Sequence, residues 1–251
     1  MRLDAHPKAC GGRPFAAAQE GARAPLGLGP FFAGMTQTAR SALEGALAEA
    51  GGLILVAGPE GSGRAATVRG LMRARPDALA IGGIGSRECA AAALQTARGR
   101  LVLATAGAGD ALGGLDHLAA LGIDPFSIAC VLRLVLAQRQ VRRLCPACRT
   151  PVQPPNSLIA PLGLEPGAVA FRAQGCGACE GSGFAGPVGV FEALPVDATV
   201  GRLIVCGADE ATIANHVFRK WPNLAAAVRA MVASGFTTAE EGIGLLRPQR
   251  Q

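Results

Sequence analysis

Apolar residues occur along this chain in short runs that alternate with helix-forming segments. Residues 53–57, 78–81 and 101–104 are wholly apolar, which is typical of strands buried on both faces of a parallel sheet. Segments 38–49 and 88–98 have the spacing or the alanine content of helices. This alternation predicts an α/β fold whose ligands bind at the carboxyl ends of the strands.

The segments outside this alternation are predicted to be helices or an irregular tail. Residues 115–121 and 125–144 are predicted helices, and the chain from residue 203 onward is predicted to be mainly helical. The first residues are rich in Ala, Gly and Pro without periodicity, which predicts a loose tail. The predicted organisation is a tail, an α/β core, a cysteine-bearing module and a helical region, at residues 1–25, 26–140, 141–190 and 191–251.

Composition indicates a folded protein with a sizeable core. Half of the 251 residues are apolar, so a core can form without disulfides. The first 20 residues contain charges and two prolines but no continuous apolar block, unlike a signal peptide. The longest apolar candidate for a membrane span, residues 128–137, is interrupted by Arg133 and is shorter than the about 20 residues that a bilayer needs. We therefore predict a cytoplasmic protein with reduced cysteines.

The net charge of +6 is spread along the chain and does not by itself indicate a nucleic-acid ligand. Aromatic residues make up 4% of the sequence and tyrosine is absent, so there is little material for stacking on bases. We predict no nucleic-acid partner. Weak attraction to an acidic partner or membrane surface, and hence peripheral membrane association, stays open.

Two Cys-x-x-Cys pairs, Cys145 with Cys148 and Cys176 with Cys179, are separated by 27 residues. Thiolates at this spacing are typical ligands of a tetrahedral Zn²⁺ ion. Because four sulfurs leave no open coordination position, the predicted zinc is structural. Coincidental turns or two disulfides are the alternatives. The other four cysteines lie at no ligand spacing and are predicted to be small buried apolar side chains: Cys10, Cys89, Cys130 and Cys206.

A glycine-rich loop follows the first apolar run and precedes a helix, which is the context of a phosphate-binding P-loop. The standard motif continues with a lysine that reaches the β and γ phosphates and a hydroxyl that ligates Mg²⁺. Here these residues are Arg64 and Ala65, and Thr67 comes two places later. An ordinary strand-to-helix turn is the alternative. The predicted nucleotide-binding residues are Gly58, Pro59, Glu60, Gly61, Ser62, Gly63, Arg64, Ala65, Ala66 and Thr67.

Together with this loop, several segments resemble the type II secretion and type IV pilus-assembly ATPases. The resemblance covers about residues 26 to 246. The segments that carry it are Leu101-Val-Leu-Ala-Thr105, Leu121-Gly-Ile-Asp-Pro-Phe126, Leu136-Ala-Gln-Arg139, Arg143-Leu-Cys-Pro-Ala-Cys148, Gly175-Cys-Gly-Ala-Cys179, Gly181-Ser-Gly-Phe-Ala-Gly186, Gly189-Val-Phe-Glu192 and Pro195-Val-Asp197.

The resemblance implies a RecA-like P-loop NTPase core with a zinc module, hexameric rings, and ATP hydrolysis that drives pilus or pseudopilus assembly through an inner-membrane platform protein. The chain departs from this pattern where the chemistry would occur. The family's catalytic glutamate falls on Gly83, and its active-site histidine falls on Gly107. Without the carboxylate nothing obvious orients or deprotonates the attacking water. No residue is therefore predicted to be catalytic.

We expect a degenerate family member with weak or no ATP hydrolysis. It would hold structural Zn²⁺, bind ATP without a hydroxyl positioned for Mg²⁺, and act by association. The expected partners are ring-forming homologues, a second copy of the chain, or the platform protein at the inner-membrane face.

Three alternatives remain at this point. The first is a divergent but active ATPase that uses Arg64 and a carboxylate from among Glu60, Asp77, Glu88 and Asp110. The second is a decaying copy without a role. The third is a zinc-ribbon nucleic-acid binder that uses the arginines near the first cysteine pair, namely Arg139, Arg142, Arg143 and Arg149.

Overall fold

The computed structural model describes residues 30–246, so the predicted tail lies outside the described residues. The strands are β1 Gly52–Ala57, β2 Leu79–Gly83, β3 Leu101–Ala106, β4 Leu132–Leu144, β5 Thr150–Val152, β6 Ala170–Arg172 and β7 Phe184–Pro195. The helices are α1 Gln37–Ala48, α2 Arg64–Ala74, α3 Arg87–Ala97, α4 Ala111–Ala120, α5 Pro125–Val131, α6 Asn156–Ile159, α7 Ala198–Val205, α8 Glu210–Val217, α9 Leu224–Ala233 and α10 Ala239–Leu246.

The main sheet has the strand order β2-β3-β1-β4-β7. Strand β1 pairs in parallel with β3 and β4, and β2 pairs in parallel with β3. All six residues of β1 are buried, as the continuous apolar run predicts for a central strand. Because β1, β2 and β3 are parallel, the loops that follow them emerge at one edge of the sheet. We call this the carboxyl edge. The α/β class and the first three strands are confirmed.

The prediction of one helix over residues 125–144 is wrong. Helix α5 ends at Val131, Leu132 is extended, and the chain continues as strand β4. Leu134, Val135 and Leu136 pair with β1 and are buried, so both faces of this part of the strand are covered. A fully apolar run has no period that separates a strand from a buried helix, and no Gly or Pro marks the boundary.

The described residues form two compact units. The first contains residues 37–138 and 192–221, and the second contains residues 30–36, 139–191 and 222–246. In the first unit, helices and sheet enclose one apolar core that includes Leu55, Val102 and Val135. In the second, β7 and helices α9 and α10 enclose another that includes Val190 and Val228. The chain crosses between the units several times, and the four predicted domains stay a prediction.

Three of the four cysteines outside the two pairs lie in the described residues. Cys89 is buried on α3, as predicted, but it is disulfide-bonded, so the prediction of a reduced thiol is wrong for this residue. Cys130 and Cys206 are exposed, so for them the prediction of buried side chains is wrong, because α5 and the end of α7 present these positions to the surface. Cys10 lies outside the described residues. None of the helices within 30–246 combines the length and apolar content that crossing a membrane requires.

Candidate phosphate loop and metal centre

The predicted phosphate loop lies at the carboxyl edge, between β1 and α2, and its glycines have distinct physical roles. Gly61 and Gly63 have φ angles of 74° and 86°, a region that disfavours side chains. Gly58 is buried, and a Cβ there would lie 2.6 Å from the Gln138 carbonyl oxygen and against the Ser62 hydroxyl. The sequence can therefore adopt a tight loop at this point, and substitutions with side chains would distort it.

Helix α2 begins directly after this loop, and its first turn is left without a side-chain cap. Its N-cap is Gly63, which has no side chain to accept from the first amides. The first amides of a helix lack intrahelical acceptors and carry the positive end of the helix dipole. The Ser62 hydroxyl is also buried and makes no hydrogen bond within the described part of the chain. These groups are donors of the kind that bind phosphate oxygens.

Gln138, at the end of the buried part of β4, forms hydrogen bonds with the loop and with the first turn of α2. Thr67 Oγ1 donates to Gln138 Oε1, and Gln138 Nε2 donates to the Ser62 carbonyl oxygen, both at 2.5 Å. Thr67 and Gln138 are fully buried. Sequence reasoning quoted Gln138 within a motif but assigned it no role. The available signal was its place as the first uncharged polar residue after six apolar or basic positions of the strand.

Arg64 is the first residue of α2 and directly follows Gly63. Burial lowers the pKa of its guanidinium, and the negative charge of Glu60 acts in the opposite direction. Its Nη1 atom lies 3.7 Å from where a Cβ on Gly107 would be. Arg64 therefore extends across the carboxyl edge toward the end of β3, where the resemblance would place a histidine.

The two positions at which the resemblance would place catalytic side chains are both glycine, and both are exposed. Gly83 ends β2, and Gly107 directly follows β3, so the topology brings both to the carboxyl edge with the loop. A Cβ on Gly83 would meet only Thr105 Oγ1, at 3.8 Å. Space for a side chain exists there, but no carboxylate or imidazole occupies either position.

The four carboxylates considered for an active enzyme are placed differently. Asp77 precedes β2 and therefore lies at the opposite edge of the parallel sheet, where it forms a 2.9 Å ion pair with Arg75. Asp110 is the N-cap of α4 and accepts from the Gly113 amide at 2.8 Å. Glu60 lies in the loop, and Glu88 is exposed in the first turn of α3. Asp77 therefore lies at the wrong edge of the sheet to act as a catalytic carboxylate beside the loop, and Asp110 acts as a helix cap.

Glu192 is a buried carboxylate that sequence reasoning gave no role. It is 3% exposed on β7, and its Oε1 accepts a 2.8 Å hydrogen bond from the Ala111 amide, the first of α4. A carboxylate at a helix N-terminus is stabilised by the helix dipole. Its position within the otherwise apolar residues 188–194 was the signal that could have identified it.

The four paired cysteines converge in the second unit. Their sulfur atoms all lie within 4.8 Å of one another, and the measured pairs are 3.8 to 4.0 Å apart. A tetrahedron of thiolates about 2.3 Å from a central zinc has sulfur separations of about 3.8 Å. These distances exceed a disulfide bond of about 2.05 Å, and all four thiols are free. The residues present fit a structural Zn²⁺, and the two-disulfide alternative is excluded.

The surroundings of the cluster favour negative charge on Cys179. Burial opposes ionisation of this thiol, but the amides of Cys176 and Gly183 donate to its sulfur at 3.2 and 3.1 Å and lower its pKa to about 6. Burial and a hydrogen bond with Cys176 raise the pKa of Cys148 to about 12. A cation that binds all four sulfurs would overcome this difference, because metal ligation deprotonates thiols.

Three of the arginines near the first cysteine pair stack on rings of the same unit. The distances from guanidinium carbon to ring centroid are 4.1 Å for Arg142 on Phe184, 5.7 Å for Arg143 on Phe236 and 5.0 Å for Arg149 on Phe171. Arg142 also pairs with Glu241 at 2.7 Å, and Arg149 donates to the Ser234 carbonyl at 3.1 Å. Contacts within the protein therefore account for these arginines, and the nucleic-acid alternative loses its main support.

Comparison with solved structures identifies the fold. The chain is similar to the ATPase DotB of Legionella pneumophila, with a TM-score of 0.56, 13% identity, and coverage of 80% of this chain and 62% of that one. It is also similar to the pilus retraction motor PilT with bound ADP, with a TM-score of 0.56, 14% identity, and coverage of 82% and 64%. The fold is therefore the α/β fold of these two proteins.

Sequence comparison identifies the family. Two relatives are the type II secretion system protein E of Pseudomonas aeruginosa, 35% identical over 72% of this chain and 37% of its own length, and the pilus assembly ATPase PilB of Myxococcus xanthus, 33% identical over 74% and 34%. The chain thus spans about a third of the length of these relatives. A family model described as type II/IV secretion system protein matches residues 64–244, which include α2 and all four clustered cysteines. The chain belongs to this family of type II/IV secretion system proteins.

Proposed function

We propose that this chain is a nucleotide-binding or structural subunit of a secretion or pilus-assembly motor, with little or no ATP hydrolysis of its own. The observation that carries the proposal is a glycine-rich loop with the backbone of a phosphate loop, at the same edge of the sheet as two glycines. Gly58, Gly61 and Gly63 retain the loop, whereas Gly83 and Gly107 provide no group to activate water. The glycines that let the backbone bind phosphate are present, whereas the side chains that would activate water are absent.

Nucleotide binding is supported by the donors around the loop. The uncapped first turn of α2 and the half-buried Arg64 offer backbone and guanidinium donors to phosphate oxygens. Weak binding follows from the substitution of arginine for lysine, since a planar guanidinium is larger than an ammonium group.

Slow hydrolysis is supported by what surrounds the loop. Phosphoryl transfer depends almost entirely on positioning and electrostatic stabilisation. At this carboxyl edge Asp110 is engaged in capping, and Ala65 supplies no hydroxyl. Glu60 and Glu88 are the remaining candidates of an active enzyme, and both are exposed.

The relatives indicate the setting in which such a subunit would act. They are named as type II secretion proteins and as a type IV pilus assembly ATPase. We infer that the chain works at the cytoplasmic face of the inner membrane, within a ring of homologues or of its own copies, and against a platform protein. Zn²⁺ held by the four cysteines would keep the second unit folded.

One experiment tests binding and turnover on the same sample. A labelled, non-hydrolysable ATP analogue is titrated into zinc-loaded protein, and phosphate release from ATP is then measured. We expect binding in the micromolar range or weaker and phosphate release at the level of the buffer. Arg64→Ala should abolish binding, whereas Arg69→Ala, on the exposed side of the same helix, should not. Turnover at rates of about 1 per second or more would refute the proposal.

A further inference from the structure

Gln138 connects the phosphate loop to the first turn of α2. It receives the Thr67 hydroxyl from the first turn of α2 and donates to the Ser62 carbonyl from the loop itself. All three residues are at most 4% exposed. These buried groups cannot form hydrogen bonds with water. Losing Gln138 would therefore leave the Thr67 hydroxyl and the Ser62 carbonyl unsatisfied. The loop conformation therefore depends on a side chain from another strand.

The same bonds define what Thr67 can do. Its hydroxyl proton points to Gln138, below the loop, and its 2.5 Å partner is fully buried. A hydroxyl that ligates Mg²⁺ does so through an oxygen lone pair, which must be accessible beside the bound phosphate, whereas the Thr67 side chain is fully buried and lies two residues beyond the usual ligand position. The residue at the usual ligand position is Ala65. Neither residue is arranged to bring a metal ion to the phosphates.

The remaining positive charge at the loop is on the protein. Arg64 crosses toward Gly107, over the carboxyl edge, where phosphate groups bound by the loop would lie. A guanidinium can bind phosphate oxygens in pairs and needs no metal to do so. Arg64 can thus compensate phosphate charge that Mg²⁺ neutralises in the usual arrangement.

We propose that Gln138 is the positioning residue of this loop and that the loop binds the diphosphate group of a nucleotide without Mg²⁺, using Arg64 as the counter-charge. This inference rests on the proposed function, since it concerns the same loop. It identifies the ligand as a metal-free diphosphate or triphosphate anion rather than a magnesium nucleotide complex.

The role of Gln138 is tested without any ligand. Hydrogen exchange of the amides of residues 58–67 is measured for the unaltered protein, Gln138→Leu and Gln140→Leu, the last being an exposed glutamine on the same strand. We expect Gln138→Leu to accelerate exchange in this segment roughly tenfold or more, since two hydrogen bonds are lost, and Gln140→Leu to have no effect. Equal exchange in all three proteins, each folded by circular dichroism, would overturn the positioning role.

Metal independence is tested by calorimetric titration of ADP and of pyrophosphate in EDTA and in excess Mg²⁺. We expect the affinity for each ligand to agree within about twofold between the two conditions. Thr67→Val should weaken binding equally in both, because its hydroxyl positions the loop rather than a metal. A tenfold gain with Mg²⁺ that disappears in Thr67→Val would overturn the inference while leaving the proposed function intact. Absence of binding under both conditions would refute nucleotide binding itself, and the exchange measurement would still decide the role of Gln138.

Discussion

Removing the metal from the four-cysteine cluster should release the chain between the two cysteine pairs. Strands β5 and β6, which pair Thr150 with Arg172, form a two-stranded sheet in this interval. A two-stranded sheet is at best marginally stable alone. The cluster joins the two ends of this interval, because Cys148 precedes β5 and Cys176 follows β6. Occupied by Zn²⁺, it would act as a cross-link on the interval between the pairs whenever β5 and β6 open with the ligands still bound.

The size of the effect follows from the length of the closed loop. Closing a loop of about 30 residues, which matches the 27 between the pairs plus the ligands, reduces the entropy of the unfolded chain by about 4 kcal/mol at 25 °C. This corresponds to roughly a thousandfold in the opening equilibrium. It is an upper value for β5 and β6, because Leu162 and Ala170 also pack in the second core and oppose opening.

Hydrogen exchange of residues 150–172 is the suitable assay, with zinc content measured on the same samples. Zinc-loaded protein should contain one equivalent of metal. Cys176→Ser, or dialysis against a chelator, should increase exchange in this interval by up to roughly a thousandfold. Cys206→Ser removes an exposed free thiol outside the cluster and serves as the control. Native protein with well below one equivalent of zinc, or protection that survives complete metal removal, would refute the reasoning.

Three further predictions concern stability, measured as the free energy of unfolding in urea. Asp197 caps α7 by accepting hydrogen bonds from the Val200 and Thr199 amides, which hold the pKa of its carboxyl below the usual value. The stabilisation by this cap is therefore fully present above the pKa of the unfolded state and is lost as the pH falls through the lowered pKa of the folded state. Asp197→Ala should cost about 1 kcal/mol at neutral pH, and Asp197→Asn should retain the cap without the acid dependence; equal losses would contradict this. Glu192→Leu should cost about 1 to 3 kcal/mol by leaving the Ala111 amide without its acceptor, and Glu192→Gln, which keeps an acceptor oxygen, should cost less; equal losses would show that the charge matters rather than the hydrogen bond. Gly61→Ala, at a position with open space but a positive φ, should cost about 1 kcal/mol. Gly58→Ala should cost about 3 kcal/mol, because its Cβ would contact the Gln138 carbonyl, and a smaller loss than for Gly61→Ala would contradict the tight approach seen there.

The sequence was most informative where a local rule has only one structural solution. The apolar run of β1 could be recognised as a central strand because both of its faces are covered. The four cysteines could be recognised as a cluster because metal ligands must converge whatever the fold around them. In both cases the prediction did not require the path of the rest of the chain.

The sequence was least informative where the answer depended on pairing between distant segments. Residues 132–137 have no helical or strand period, and only their pairing with β1 makes them a strand. The roles of Gln138 and Glu192 depend on partners that lie 71 and 81 positions away, Thr67 and Ala111. No spacing rule relates such positions, so these contacts could be found only in the folded chain.

Arg64 distinguishes two explanations for the presence of the loop, namely the stability of the fold and the binding of a nucleotide. The loop bonds of Thr67 and Gln138 are buried, so changing them would destabilise the fold whether or not nucleotide binds. The positions at Gly83 and Gly107 are exposed, so a catalytic side chain there can be lost with little effect on folding. Arg64 belongs to neither group, because burial disfavours its charge and Glu60 only partly compensates. An anionic ligand, as the proposed function requires, would stabilise a half-buried cation at the N-terminus of an uncapped helix. Replacing Arg64 should therefore affect nucleotide affinity much more than the free energy of unfolding.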